Sequence, residues 1–141
     1  MSEDERTTPT ASDVLFSHAG RGWVHKFSDA FAGAWLAMRT QSSFHVHLAI
    51  TVLVIAAAWW LTVSLVEWCL LILCVALVMS AECINTALER LAKAVDLRVN
   101  SDIGAALDIA SGGVLIASAG AVLVGGAILG YRLGVIVGWW G

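Results

Sequence analysis

WCLLILCVALVMS (68–80) runs straight into Ala81-Glu82-Cys83-Ile84-Asn85-Thr86-Ala87-Leu88-Glu89, and the reading of this junction decides the fold. The apolar run alone is shorter than the ~20 residues a helix needs to span hydrocarbon, so Glu82 is expected at or just below the membrane surface. A carboxylate at membrane depth costs roughly 3 kcal/mol on insertion scales, and it is by default a hypothesis about function. At about 100° per residue, Asn85 and Glu89 fall within a ~60° arc of Glu82, with Thr86 in the same stripe. Two carboxylates and an amide therefore share one helical face.

Working outward, the composition sets the class. Of 141 residues 59% are hydrophobic and 13% charged, with a single proline, so a water-soluble domain of this length would not hide the apolar surface. The expectation is an all-α integral membrane protein. The net charge of −3 and the lack of a basic patch give no nucleic-acid footprint. Cys69, Cys74 and Cys83 lie in or beside the second apolar segment, where they read as small buried hydrophobes rather than a disulfide framework or zinc site.

Residues 1–22 are polar and lack the basic start and apolar core of a secretion signal, so they read as a disordered cytoplasmic tail before a membrane domain over 23–141. Phe27, Ala30, Phe31, Ala34, Trp35 and Met38 recur at helical spacing, which predicts an amphipathic helix. It would rest either in the membrane interface or against the bundle. Three spans follow, at about 46–63, 65–89 and 108–130. Trp59, Trp60 and Trp68 read as an aromatic belt at the first turn. Arg21, Lys26 and Arg39 precede the first span and Arg90, Lys93 and Arg98 follow the second, while 62–67 has no basic residue. The excess of basic residues places the N-terminus and the 90–107 loop in the cytoplasm. Two glycine and alanine ladders, Gly113 to Gly125 and Gly126 to Gly138, are spaced for close helix contact and predict homo-oligomerisation.

The candidate site joins Glu82, Asn85 and Glu89 to Asp108 at the start of the third span. Carboxylates beside an amide suit magnesium, which takes one or two protein oxygens and fills its shell with water and phosphate. A deeper carboxylate suits a general base facing a lipid hydroxyl. The structural alternative pairs Glu89 with Lys93 at i+4 and uses Glu82 and Asn85 as interhelical hydrogen-bonding groups. His18, His25, His45 and His47 form no ligand cluster, and interfacial hydrogen bonding is the reading for His45 and His47.

Glu82-x-x-Asn85-Thr86-Ala87-x-Glu89 resembles the signature of the prokaryotic diacylglycerol kinase family, which includes the undecaprenol kinases. Phe27-x-x-Ala30-Phe31-x-Gly33 is similar to that family's surface helix, Phe44-x-x-His47 to its entry into the first span, and Asp108, Ser111 and Val114-Leu115 to its third span. The resemblance implies a small lipid kinase of the bacterial inner membrane, a homotrimer, moving the γ-phosphate of ATP onto a membrane alcohol with magnesium as cofactor. It implies Glu82 as general base, Glu89 as magnesium ligand, Asn85 as organiser and Asp108 as nucleotide contact. No GxxxxGK[ST] loop occurs, and the family does not use one.

Two departures stand out. Gln41 occupies a position where the family commonly carries a second metal-binding glutamate, and Leu107 a position where it carries lysine. Gln41 offers a neutral carbonyl oxygen instead, and Lys93, on the Glu82 stripe, is the candidate replacement cation. Two other readings stay open: a catalytically silent membrane scaffold of the same fold, and a transferase using another donor.

Overall fold

The computed structural model describes residues 22–95 and 100–140; the expected tail falls outside them except for Gly22. Four helices occupy the described residues: α1 (Trp23–Thr40), α2 (Ser42–Trp60), α3 (Leu65–Val95) and α4 (Ser101–Val137). The chain divides into two compact units, one ending at Trp35 and the other beginning at Leu36, and each is described by itself. In the first, α1 starts one turn before the expected Phe27, and the Lys26 ammonium lies 5.1 Å from the Trp23 ring centroid. Its apolar stripe of Phe27, Phe31 and Trp35 is exposed, as an interfacial helix requires.

In the second unit α2, α3 and α4 are each long and apolar enough to cross a membrane. α3 and α4 outrun the expected spans because hydropathy marks the part immersed in hydrocarbon, whereas backbone hydrogen bonding continues past it; α2 starts before the expected 46 and stops at Trp60, short of the expected 63. At 1.5 Å per residue, α3 is about 46 Å long and α4 about 55 Å, both well beyond a ~30 Å apolar layer. Asp108 consequently sits two turns inside α4 and not at its start.

Local chemistry explains the true ends. Thr62 enters the left-handed region with φ 50°, and α2 stops there. The Thr62 N–H donates to the Trp59 carbonyl and the Val63 N–H to the Ala58 carbonyl, both at 3.2 Å. This is the paired bonding of a Schellman motif, completed by apolar contact between buried Val63 and Ala58. Two residues later α3 begins with a capping box. The Ser64 N–H donates to Glu67 Oε2 at 2.6 Å and the Glu67 N–H to Ser64 Oγ at 3.4 Å. At the start of α4, Asn100 Oδ1 accepts from the Asp102 and Ile103 N–H groups at 2.9 and 3.4 Å.

The core is small. Ala58, Leu61, Val63 and Leu71 form its centre, with Val54, Trp68, Ile128 and Leu129 packed around them. The glycine ladders divide in role. Gly125 is buried, and a Cβ there would meet Leu71 at 3.7 Å. Gly134 lies under the Trp140 ring, and Gly138 takes φ 83° to close α4, so both serve the helix terminus and not a helix contact. A Cβ at Gly113, Gly126 or Gly130 would meet nothing within 4 Å. Cys69, expected buried, is exposed, and all three thiols are free.

One ion pair ties the turn to the far end of α4. Arg132 Nε donates to Glu67 Oε1 at 3.0 Å and Oε2 at 2.9 Å, with Nη2 also on Oε2. Removing one partner strands the other charge, whereas neutralising both does not. Arg132→Leu is therefore expected to lower the thermal unfolding midpoint in detergent micelles more than Arg132→Leu combined with Glu67→Gln, which keeps the Ser64 cap. Equal midpoints would show that the pair contributes only through the cap.

Candidate active site

The acidic stripe of α3 is held by groups from both neighbouring helices. Glu82 is 3% exposed, Asn85 8% and Thr86 3%, so these are the buried polar residues of a chain whose remaining described core is apolar. Glu82 meets α2 twice. His47 Nε2 lies 3.0 Å from its Oε1, and Ser43 Oγ donates to its Oε2 at 3.3 Å. Ser43 and His47 are four residues apart, one above the other on α2.

One turn further along α3 the direction of the contacts changes. Asn85 Nδ2 donates to Glu89 Oε1 at 2.9 Å, while its Oδ1 accepts from Ser111 Oγ of α4 at 3.4 Å. The same Ser111 hydroxyl lies 3.0 Å from the Leu107 carbonyl one turn back. The other oxygen of Glu89 accepts from Gln41 Nε2 at 2.5 Å. Arg90 then donates to Thr40 Oγ1 at 2.8 Å beside the α1–α2 junction. The result is a ladder of polar contacts along one face of α3, running from a buried carboxylate to a half-buried one.

The expected residues divide. Glu82, Asn85, Glu89 and Gln41 are brought together. Asp108 and Lys93 are exposed, and neither has an ion pair or side-chain hydrogen bond to the cluster among the described residues. The anticipated Glu89 to Lys93 pairing does not form; Gln41 and Asn85 take both oxygens of Glu89. The interhelical bonding anticipated for Glu82 and Asn85 does form. Ser43, His47 and Ser111 were not among the expected site residues. A signal for two of them existed: Ser43, His47 and Thr51 recur at i, i+4 and i+8 as a polar stripe on an otherwise apolar helix.

Beyond His47 the space turns apolar. A cavity of about 330 Å³ lies between α2, α3 and α4, bounded by His47, Thr51, Val78, Met79, Ser118 and Gly125 among others. His47 thus has the carboxylate on one side and a hydrocarbon-like space on the other.

No cluster of three or more His, Cys, Asp or Glu side chains occurs among the described residues. One carboxylate with amide oxygens nearby does suit magnesium, which keeps much of its shell for water and phosphate. A half-turn of the Gln41 amide exchanges its N–H₂ for its carbonyl oxygen in front of Glu89, since the two ends are nearly isosteric.

The prokaryotic diacylglycerol kinase family matches residues 28–129. A diacylglycerol kinase of Synechocystis sp. is 40% identical over 107 residues, 73% of this chain and 59% of that protein. An undecaprenol kinase of Bacillus subtilis is 27% identical over 124 residues, 88% of this chain and 92% of that protein. No solved structure matches. The family match covers the whole of α2 and α3 and most of α4, including every residue of the polar ladder, and the chain belongs to the prokaryotic diacylglycerol kinase family.

Proposed function

We propose that this protein transfers the γ-phosphate of ATP to the hydroxyl of a membrane lipid alcohol, a diacylglycerol or an undecaprenol. The observation that carries this reading is the ladder itself: a buried carboxylate at Glu82 and a more accessible one at Glu89, seven residues apart on one face of a membrane helix. The two carboxylates have different surroundings and take different roles.

Glu82 accepts the proton of the lipid hydroxyl. Its two oxygens have about four acceptor positions, of which His47 and Ser43 use two, so a position on each remains for the incoming O–H. As that proton moves to Glu82, the alcohol oxygen forms its bond to the γ-phosphorus, the bond from phosphorus to the bridging oxygen breaks, and ADP leaves. Glu89 and the Gln41 carbonyl would hold magnesium, which when bound offsets charge on the phosphate oxygens. Asn85 fixes the position of Glu89 through its N–H₂ and is itself held by Ser111. Lys93, exposed one turn beyond Glu89, supplies positive charge toward the nucleotide, and Asp108 contacts the nucleotide from α4. The apolar cavity beyond His47 has the lining that a prenyl or acyl chain requires.

The protein is assigned to the bacterial inner membrane with its N-terminus and the polar ladder on the cytoplasmic side, where ATP is available. It is further assigned as a homotrimer. Between 11% and 17% of each span is buried within one chain, and a Cβ at the small-residue positions Gly113 and Gly130 would meet nothing within 4 Å, which leaves them open for helices of other copies. Light scattering in mild detergent is expected to give three times the chain mass; a monomer would refute the assembly.

The activity is tested with purified protein in mixed micelles, labelled ATP, and diacylglycerol and undecaprenol offered in parallel. Label enters at least one lipid, Glu82→Gln lowers kcat by roughly 10²-fold or more, and Lys93→Ala raises KM for ATP. Label in neither lipid would favour the silent-scaffold reading.

Gln41 allows a sharper test. Replacing it with glutamate puts two carboxylates face to face where an N–H₂ now donates to Glu89. Gln41→Glu is expected to lower the magnesium concentration for half-maximal activity and to lower the unfolding midpoint in chelator, because unscreened like charges repel. An unchanged magnesium requirement would remove Gln41 from the metal site.

A further inference from the structure

We propose that His47 is the positioning residue of the general base: its ring holds the Glu82 carboxylate in the one orientation from which a lipid hydroxyl arriving along the apolar cavity is deprotonated. The inference rests on the reading of Glu82 as base and adds the device that aims it.

Four observations converge on the ring. Its Nε2 is 3.0 Å from Glu82 Oε1, a shorter contact than the 3.3 Å from Ser43 Oγ to Oε2. The Glu82 side chain is 4% exposed and has no arginine or lysine partner among the described residues, so His47 is its principal donor. The ring also borders the cavity, as Thr51 and Val78 do from α2 and α3. Finally, the turn of α2 that carries it is braced, because Thr51 Oγ1 donates to the His47 carbonyl at 2.8 Å.

A glutamate side chain turns about three bonds, and a buried one without donors would swing toward whatever polar group it can reach. Here two donors one helical turn apart on α2 grip both oxygens, fixing the plane of the carboxylate as well as its depth. Hydrogen-bonding groups behind a reacting side chain typically change activity by about 10- to 100-fold when removed, because displacement of the order of 1 Å is enough to lose alignment. The ATP side of the site hangs on Glu89, Gln41 and Asn85, which His47 does not touch. Loss of His47 should therefore appear in kcat and leave KM for ATP alone.

The experiment measures kcat, KM for ATP and the unfolding midpoint of His47→Ala, His47→Gln and Glu82→Gln in mixed micelles with both lipid alcohols. His47→Ala is expected to lose roughly 10- to 100-fold in kcat with KM for ATP within about twofold of the parent. His47→Gln restores a donor N–H at similar reach and is expected to recover most of that loss. In the Glu82→Gln background, His47→Ala should cost nothing further, since no base remains to be aimed. Full kcat in His47→Ala with Glu82→Gln inactive would overturn the positioning role and leave the base intact. Losses in His47→Ala and His47→Gln that are equal, and that follow the unfolding midpoint, would overturn it in favour of a packing role. Retained activity in Glu82→Gln would remove the base and this proposal together.

Discussion

A carboxylate inside an apolar helix bundle must be met by donors, and this requirement organises the bundle. Glu82 lies 17 residues, about 26 Å of helix, beyond Leu65, near the far side of a ~30 Å hydrocarbon layer. Water supplies few donors at that depth, so the neighbouring helices supply them: Ser43 and His47 from α2 for Glu82, and Ser111 from α4 for Asn85. Each contact also fixes the axial position of one helix against the next. Apolar side chains alone do so weakly, because in lipid one sliding register buries nearly as much as another. At the opposite end the Glu67 and Arg132 pair repeats the device. Along α3, Glu67 and Asn85 are 18 residues or about 27 Å apart; along α4, Ser111 and Arg132 are 21 residues or about 32 Å apart. The two helices present polar anchors at the same two levels, and those levels are one apolar layer apart.

This arrangement also separates two chemical environments within a few turns of α3. Glu82 is enclosed and borders the apolar cavity through His47, whereas Glu89 stands half-buried among amides near the cationic Arg90. A lipid hydroxyl and a nucleotide phosphate have opposite solvation needs, and the proposed function assigns one of these two carboxylates to each. Asn85 joins the two halves, since its amide donates toward Glu89 while its carbonyl is held by α4. Movement of α4 would therefore be felt first at Glu89.

The sequence was most legible where periodicity and polarity coincided. Glu82, Asn85 and Glu89 declare themselves because they interrupt an apolar helix at spacings that share a face. Gln41 was accessible only through resemblance, since no periodic signal links a residue before α2 to one 48 positions later. Ser43 and His47 were visible as a polar stripe, yet the comparison of His45 with His47, two residues apart, drew attention to a pair that points in different directions and away from the i+4 relation that matters. Asp108 shows the limit of hydropathy. It marks the entry into the apolar layer, but Asn100 caps the helix two turns earlier, and the residue that meets Asn85 is Ser111, three positions further on. The end of α2 was misjudged for a related reason: Val63 is apolar enough to extend a span, and only the left-handed Thr62 takes it out of the helix into a capping contact.

The glycines distinguish packing inside the chain from packing outside it. If the α4 ladders served only intramolecular contact, each glycine would face a neighbouring helix, as Gly125 faces Leu71. Instead a Cβ at Gly113 or Gly130 would meet nothing within 4 Å, leaving exposed backbone on a helix that already uses Gly134 and Gly138 for its terminus. Glycine in a helix interior is unfavourable by roughly 0.5–1 kcal/mol relative to alanine, and lipid tails do not need the close approach it permits. Another helix backbone does.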